Sequence, residues 1–497
     1  MTTAMFKTGM NRTLLNKDFF QTILDRAYGP NTVQPNSWSE EALDSSASIL
    51  SSISSGDDDD DDDDFTSDAP SSSPNSSSSQ ASGNEETPCP MNDMTGHFLY
   101  KIDYNSTIQN SRTSNSSISS TPGSLSISAT SRLEQDVSTP THIEQLRVVI
   151  KSKPIDTALI ELTNIMAQLQ GGALAEEYDL IKDLTGFRNS HIREIELAEL
   201  AWQVGGPMER ISTKVYNVLR NDAQQLYALC LEYLDPALGN ITHMNSTDVA
   251  LTTWSPDNIR LALRDLASFH AQFLCQEDKI LGMSFLENPT RSMMKVLRPA
   301  YDAMVRTNRK NEPHLFSQFL SQCVLDYLED SDEHWATIEK SPRTLIHGDF
   351  NTRNICLRLD QHTGARQLCA YDWELACCHV PQRDVVEFLS FVLPPKSNEW
   401  SHYIEYHRLA LKASLENRSG PACGKPHVKV PSSREYMNVA HIALMDFASF
   451  RVAMYGISNA FKQVDWLPRI VSSVEEQLKR MGPLPTHRGR VLQESKL

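Results

Sequence analysis

Residues 345–354 read LIHGDFNTRN: an apolar pair, then His347, Asp349, Arg353 and Asn354 packed into eight positions. A solvated turn has no use for a histidine, a carboxylate and an amide set directly behind an apolar run. The stretch is therefore a candidate for chemistry. Thr344, Leu345 and Ile346 read as a short strand leading into it. After Asn354, the segment ICLRL alternates, with Ile355, Leu357 and Leu359 expected on one face. The connection DQHTGARQ carries turn residues around Gly364, and LCAY returns as a second strand ending at Asp372. A hairpin brings the chain back to its starting level, so Asp372 is expected beside Asn354 although 18 positions separate them. A carboxylate and an amide oxygen meeting there make a hard-oxygen site suited to Mg²⁺, and Asp349 points at the same place. Such a set suits phosphoryl transfer. One carboxylate orients an attacking hydroxyl and takes its proton, while two oxygen ligands hold the metal that carries nucleotide phosphates. The plainer alternative is a structural loop capped by Asp and Asn side chains.

Around this stretch the chain is 497 residues long, enough for two or three domains and a large core. Its net charge is −17, and the run Asp57–Asp64 carries eight of those negative charges. An acidic body without a Lys/Arg cluster argues against a reader of nucleic-acid backbones. Nine scattered cysteines, with no C-x-x-C pair, read as reduced thiols of a cytoplasmic protein. Cys377, Cys378 and His379 are adjacent, point in divergent directions, and read as packing rather than as metal ligands. No apolar leader opens the chain and no run of 18 apolar residues occurs, so neither a signal peptide nor a membrane span is expected.

Composition divides the chain. Residues 1–44 hold a short helical pattern with Phe19, Phe20, Ile23 and Leu24 at helical spacing, a candidate part of a small lobe. Residues 45–90 are Ser, Asp, Pro and Asn, unable to bury enough apolar surface to offset their ordering entropy, and read as a disordered spacer. The same holds for 105–141. Residues 91–230 otherwise read as a small lobe, 231–480 as a large lobe carrying the hairpin, and 481–497 as a tail. Leu146–Ile150 is β-branched and apolar, a strand with Lys151 at its end. HIREIELAELAWQV from His191 is a helix, and QQLYALCLEYLDP a strand ending in a turn. In SPDNIRLALRDLASFHAQFL, Ser255 suits the N-cap, Pro256 the first turn, and Ile259, Leu263, Leu266 and Phe269 form a stripe.

At these residues the chain resembles the aminoglycoside phosphotransferase family and its relatives, the choline kinase and ecdysteroid kinase-like enzymes. LIHGDFNTRNI followed by AYDWELA carries the resemblance. It implies an α+β, two-lobed protein-kinase-like fold with a small sheet-plus-helix lobe and a mostly helical lobe. It implies ATP and Mg²⁺ as cofactors, with phosphate transferred to a hydroxyl, less often an amine, of a small molecule. The family's H-G-D-x-x-x-x-N loop falls on His347, Gly348, Asp349 and Asn354, making Asp349 the base. Its D-x-[DE] metal motif falls on Asp372 and Glu374, and the aspartate that supports the loop on Asp384. Lys151 becomes the lysine that reaches the nucleotide phosphates and Glu194 its helix partner. Glu232, Tyr233 and Leu234 become the hinge that bonds adenine. The pattern departs from the family ahead of Lys151, where no G-x-G-x-x-G loop occurs and only Gly96 suggests a phosphate-covering turn. Lys101 is a rival to Lys151, and Glu161 and Glu177 are rivals to Glu194. His347 is expected to brace the loop, His270 to pack its helix, and Trp373 could touch nucleotide or substrate. The competing class is a kinase-like scaffold that binds nucleotide with little or no catalysis. The acceptor is open, since the helical patterns of 280–335 and 395–480 spell no ligand.

Overall fold

The computed structural model describes residues 14–30, 32–41, 96–106, 142–235, 241–243, 254–359, 364–418, 429–482 and 484. The acidic run, the rest of 45–90, nearly all of the second polar stretch and the C-terminal tail lie outside the described residues.

The small lobe begins with helix α1 (Lys17–Tyr28), capped by Asn16, whose side chain accepts from the Phe19 amide at 3.0 Å. Its stripe of Phe19, Phe20, Ile23 and Leu24 is buried. The partner of that stripe is an antiparallel sheet in the order β1-β2-β3-β5-β4, formed by β1 (Gln34–Glu41), β2 (Gly96–Ser106), β3 (His142–Ser152), β4 (Val215–Asn221) and β5 (Leu226–Glu232). Strand β1, QPNSWSEE, is a polar edge strand, and its side chains show no apolar alternation that would announce it. Strand β3 is longer than its apolar run. Val148 and Ile150 pack toward α1, so the period of two turns Lys151 and then Lys153 to the opposite face. Two helices, α2 (Asp156–Gln170) and α3 (Gly172–Ile181), precede α4 (Ser190–Val204), which brings Glu194 to that opposite face.

The large lobe is built on α5 (Pro256–Phe273). Ser255 caps it and accepts from Asn258 at 3.3 Å, and its stripe is fully buried. Helices α6 (Arg291–Asn311), α7 (Gln318–Glu329) and α8 (Ser331–Lys340) follow, then β7 (Thr344–Ile346). The expected hairpin forms from β8 (Ile355–Leu359) and β9 (Arg366–Ala370), and β6 (Ile241–His243) adds to its edge. Its facing differs from the alternating pattern: Ile355, Cys356 and Leu357 are all buried, whereas Leu359 is exposed. The start of β8 lies inside the lobe interior, so both faces are covered, and only its far end reaches solvent. Strand β10 (Cys377–His379) pairs with β7, which accounts for Cys377, Cys378 and His379 as sheet residues. Helix α9 (Gln382–Val392) is buried along its whole length. Around it stand α10 (Trp400–Arg418), α11 (Ser433–Phe447), α12 (Ala453–Asn459) and α13 (Leu467–Met481). The two lobes meet where the Thr213 amide donates to the Ala370 carbonyl at 3.1 Å. The result is the two-lobed, α+β arrangement expected from the sequence. Among the described residues no helix is long and apolar enough to cross a membrane.

Candidate active site

Strand β7 delivers the loop that starts at His347, and a buried carboxylate fixes it. Asp384, in the first turn of α9, accepts from the His347 amide at 2.8 Å and the Gly348 amide at 3.0 Å. His270 Nε2 lies 3.1 Å from the same carboxylate, His270 Nδ1 is 3.2 Å from His407 Nε2, and His407 Nδ1 is 2.8 Å from the Tyr436 hydroxyl. Burial pushes the Asp384 carboxyl up, but the bonds from His270 and the His347 amide outweigh it and hold it low. His270 is therefore more than a packing residue: it links the loop's anchor to α10 and α11. His347 braces the loop as expected, its Nε2 lying 3.0 Å from the Tyr371 carbonyl. Gly348 sits at φ +80°, and a Cβ there would meet the Leu375 carbonyl oxygen at 2.2 Å. Only glycine fits. Trp373 is 5% exposed, rests on His347 with ring centroids 4.5 Å apart, and donates its indole N–H to the Ala370 carbonyl.

Asp349 follows directly. Its Oδ2 accepts from Asn354 Nδ2 at 2.8 Å and its Oδ1 from Asn351 Nδ2 at 3.0 Å. Two residues from the far end of the chain complete the set. The Arg451 guanidinium pairs with Oδ1, and the Tyr455 hydroxyl donates to it at 3.2 Å. Burial raises the Asp349 carboxyl, but the Arg451 and Arg353 guanidiniums outweigh it and hold it well below the usual carboxylate range.

The hairpin closes as its pattern implied. The Tyr371 amide donates to the Asn354 carbonyl at 3.0 Å, which places Asp372 next to the loop. Asp372 adopts a left-handed conformation at φ +66°. Its Oδ1 accepts from Lys151 Nζ at 2.7 Å, and Lys151 also pairs with Glu194 at 2.7 Å. Burial pushes the Asp372 carboxyl up, and Lys151 and Lys153 bring it down to about 2. The rivals fall away. Lys101 lies on β2 near Asp103, and Glu161 pairs with Lys182. Glu177 belongs to α3, not to the helix that meets Lys151.

A second lysine, not singled out in the sequence, shares the site. Lys153 is 3% exposed and bridges Glu194 and Glu374, each at 2.8 Å. The signal was available, because Lys153 stands two positions after Lys151 and a strand puts both on one face. For Arg451 and Tyr455 the signal was weaker: an i,i+4 pair on a C-terminal helix, with nothing local to tie it to a loop 102 residues earlier.

The hinge residues lie further along the same sheet. Leu229 stands opposite Lys151 and Glu232 opposite Val148. The Glu232 amide donates to the Lys214 carbonyl at 2.9 Å, and its carboxylate accepts from Arg358 at 2.7 Å, locking the end of β5 to the hairpin. Tyr233 and Leu234 continue from it into the interlobe connection. Behind the cleft a small cavity of about 30 Å³ is lined by Glu194, Met208, Thr213, Leu229, Leu231 and Tyr371. Gly96, the expected phosphate-covering turn, opens β2 opposite Ser152.

The donor set can be tested against a dication. The Asn354 amide nitrogen is turned to Asp349, which leaves its oxygen for another partner, and the second Asp372 oxygen accepts no hydrogen bond among the described residues. Among the described residues no three His, Cys, Asp or Glu side chains form a metal cage. One carboxylate and one amide oxygen fit Mg²⁺, which keeps waters and takes phosphate ligands rather than a full protein cage.

No curated protein matches the chain. Similar solved structures include an aminoglycoside 2'-phosphotransferase mutant in complex with GDP, 14% identical, covering 60% of this chain and 83% of that one at a TM-score of 0.36. An ethanolamine kinase from Plasmodium vivax is 13% identical, covering 69% and 76% at 0.36. A choline kinase from Streptococcus pneumoniae is 11% identical, covering 67% and 86% at 0.34. The ecdysteroid kinase-like family model matches residues 251–418, the span that holds His347, Asp349, Asn354, Asp372 and Asp384. Over that span the chain matches the ecdysteroid kinase-like family, in agreement with the resemblance read from its sequence.

Proposed function

We propose that the protein is an Mg²⁺-dependent phosphotransferase that moves the γ-phosphate of ATP to a hydroxyl of a small molecule. One observation carries the reading: β3, α4, the 347–354 loop and the end of β9 bring Lys151, Glu194, Asp349, Asn354 and Asp372 to one cleft, from positions up to 221 residues apart. In this reading Lys151 holds the nucleotide phosphates, and Glu194 keeps the lysine extended. The backbone of Glu232 to Leu234 takes the adenine edge. Asn354 and Asp372 would hold Mg²⁺, whose positive charge would offset that of the nucleotide phosphates. Asp349 accepts a hydrogen bond from the acceptor hydroxyl and aims its oxygen at the γ-phosphorus. The Arg451 and Arg353 guanidiniums hold the Asp349 carboxyl below its usual range, which keeps it ionised and able to accept that hydrogen bond. Loose phosphoryl-transfer transition states ask for positioning more than for early deprotonation.

A second reading is a kinase-like scaffold that binds nucleotide without turnover. It is favoured by the absence of a G-x-G-x-x-G loop ahead of Lys151. A screen of hydroxylated metabolites for ATP consumption, run beside Asp349→Asn, separates the two. The phosphotransferase reading expects at least one acceptor whose turnover the substitution reduces about 10²–10⁴-fold with ATP affinity kept. Turnover equal in the two proteins removes Asp349 from the mechanism, and ATP binding with no turnover on any acceptor supports the scaffold.

A further inference from the structure

Asp349 is more heavily bonded on one oxygen than on the other. Its Oδ1 faces three donors: the Arg451 guanidinium, Asn351 Nδ2 at 3.0 Å and the Tyr455 hydroxyl at 3.2 Å. Among the described residues its Oδ2 faces one, Asn354 Nδ2 at 2.8 Å. A carboxylate oxygen has about two lone pairs. Oδ1 is thus saturated, and Oδ2 keeps one lone pair beyond the bond from Asn354.

The device that aims Arg451 is visible in the backbone. Helices α11 and α12 are one continuous rod interrupted by a π-turn at Ala448–Val452. A π-turn holds one residue more than an α-turn. Without that residue, Arg451 would be rotated by about 100° around the helix axis. The Arg451 side chain is 11% exposed, and Tyr455, one turn on, bonds both the guanidinium and Asp349. Tyr455 is held in turn by Trp466, with ring centroids 4.9 Å apart. Arg353 stacks over that same Trp466 at 4.6 Å and donates to the Tyr455 hydroxyl at 3.2 Å. The shell around Oδ1 is therefore held on several sides, and its Arg451, Tyr455 and Trp466 lie beyond residue 418, outside the stretch that matches the family.

We propose that Arg451, supported by Tyr455, is a positioning residue that fixes the Asp349 carboxylate so that Oδ2 alone receives the attacking hydroxyl. This rests on the phosphotransferase reading above. The competing possibility is a purely structural ion pair that pins α11 and α12 to the loop. The two differ in what they do to a bound transition state. A structural pair affects folding and all ligands alike, whereas a positioning residue affects only complexes in which a nucleophile engages Asp349.

Isothermal titration of the full-length protein with Mg-ADP alone, and with Mg-ADP plus aluminium fluoride, reads this difference without an acceptor being known. Aluminium fluoride mimics the transferring phosphoryl group, and a water takes the nucleophile's place. The wild type is expected to bind the fluoride complex more tightly than Mg-ADP. Arg451→Gln is expected to keep Mg-ADP affinity within about twofold and to lose about ten- to a hundredfold of the extra affinity, the scale of a misplaced reacting group. Arg451→Lys keeps the charge without the fork and should recover part of the loss. Tyr455→Phe removes one donor and no charge, and should lose several-fold in the same direction. An Arg451→Gln protein that keeps the full wild-type preference overturns the proposal and leaves the phosphotransferase reading standing. If Arg451→Gln cannot bind Mg-ADP at all, Tyr455→Phe decides: an unchanged preference overturns the proposal. A wild type with no preference for the fluoride complex overturns both.

Discussion

Gly348→Ala is the smallest change that strikes the centre of the site. The added Cβ would lie 2.2 Å from the Leu375 carbonyl oxygen, with the Leu375 carbonyl carbon at 2.9 Å. Ordinary contacts are about 3.5 Å, so backbone must part by about 1 Å. Overpacking of this kind costs about 1–3 kcal/mol. Holding alanine at φ +80° adds about 1–2 kcal/mol, and the stiffer unfolded chain offsets about 0.4–1 kcal/mol of it. The net loss is about 2–4 kcal/mol. For a lobe of this size that lowers Tm by roughly 4–16 °C, at about 2–4 °C per kcal/mol. The second effect is on chemistry. Gly348 precedes Asp349, and Leu375 follows Asp372 by three residues, so parting the two segments separates the candidate base from the candidate metal ligand. A displacement of about 1 Å at reacting groups costs about 10²-fold in rate. Differential scanning calorimetry gives the first quantity, and ATP turnover at the remaining structured temperature gives the second. A variant that melts within two degrees of wild type and turns over at the wild-type rate would refute the claim that the loop and the Asp372 segment are in obligate contact.

Other expectations follow from the same site. Asp349→Asn should bind Mg-ATP as wild type does and lose turnover, and equal initial rates would remove its assigned role. Lys153→Met strips one of the two cations from the buried Glu194 and Glu374 carboxylates; breaking such a pair costs about 3–5 kcal/mol, so a Tm unchanged in the scan would contradict the bridge. Glu387 is fully buried and bonds Asn351 and Arg383, and burial with the nearby Asp349 raises its carboxyl to about 7 despite Arg383. Its folded pKa exceeds the ordinary 4.5, so its contribution is complete at acid pH and is lost as pH rises from about 4.5 to about 7. In scans across that window the Tm of Glu387→Gln, taken relative to wild type, should move upward with pH and then level; a constant difference would show that Glu387 ionises normally.

What could be read from the chain was what local patterns encode. The hairpin was legible because Ile355–Leu359 and Leu368–Tyr371 are apolar runs around a turn, and that alone forces Asn354 toward Asp372. Helix α5 was legible from Ser255, Pro256 and its stripe. The limits are equally physical. Strand β1 is polar because it is an edge, so burial leaves no trace in its sequence. Leu359 follows the alternation yet faces solvent, because the lobe interior covers both faces of β8 at its start and neither at its end. His270, His407, Tyr436 and Asp384 form one buried chain whose members are far apart in sequence. Each alone resembles a packing residue. Arg451 depends on a π-turn, a register change that the residues ASFRV do not announce.

The most direct test of the account is the metal dependence of nucleotide binding. Isothermal titration of ATP should give tight binding to the wild type at saturating Mg²⁺ and much weaker binding in its absence. Asp372→Ala should bind ATP equally weakly in both conditions, because Asn354 alone is neutral and a hard dication needs carboxylate charge. An Asp372→Ala protein that retains wild-type affinity for Mg-ATP, or a wild type indifferent to Mg²⁺, would contradict the assignment of this cleft to metal-assisted phosphoryl transfer.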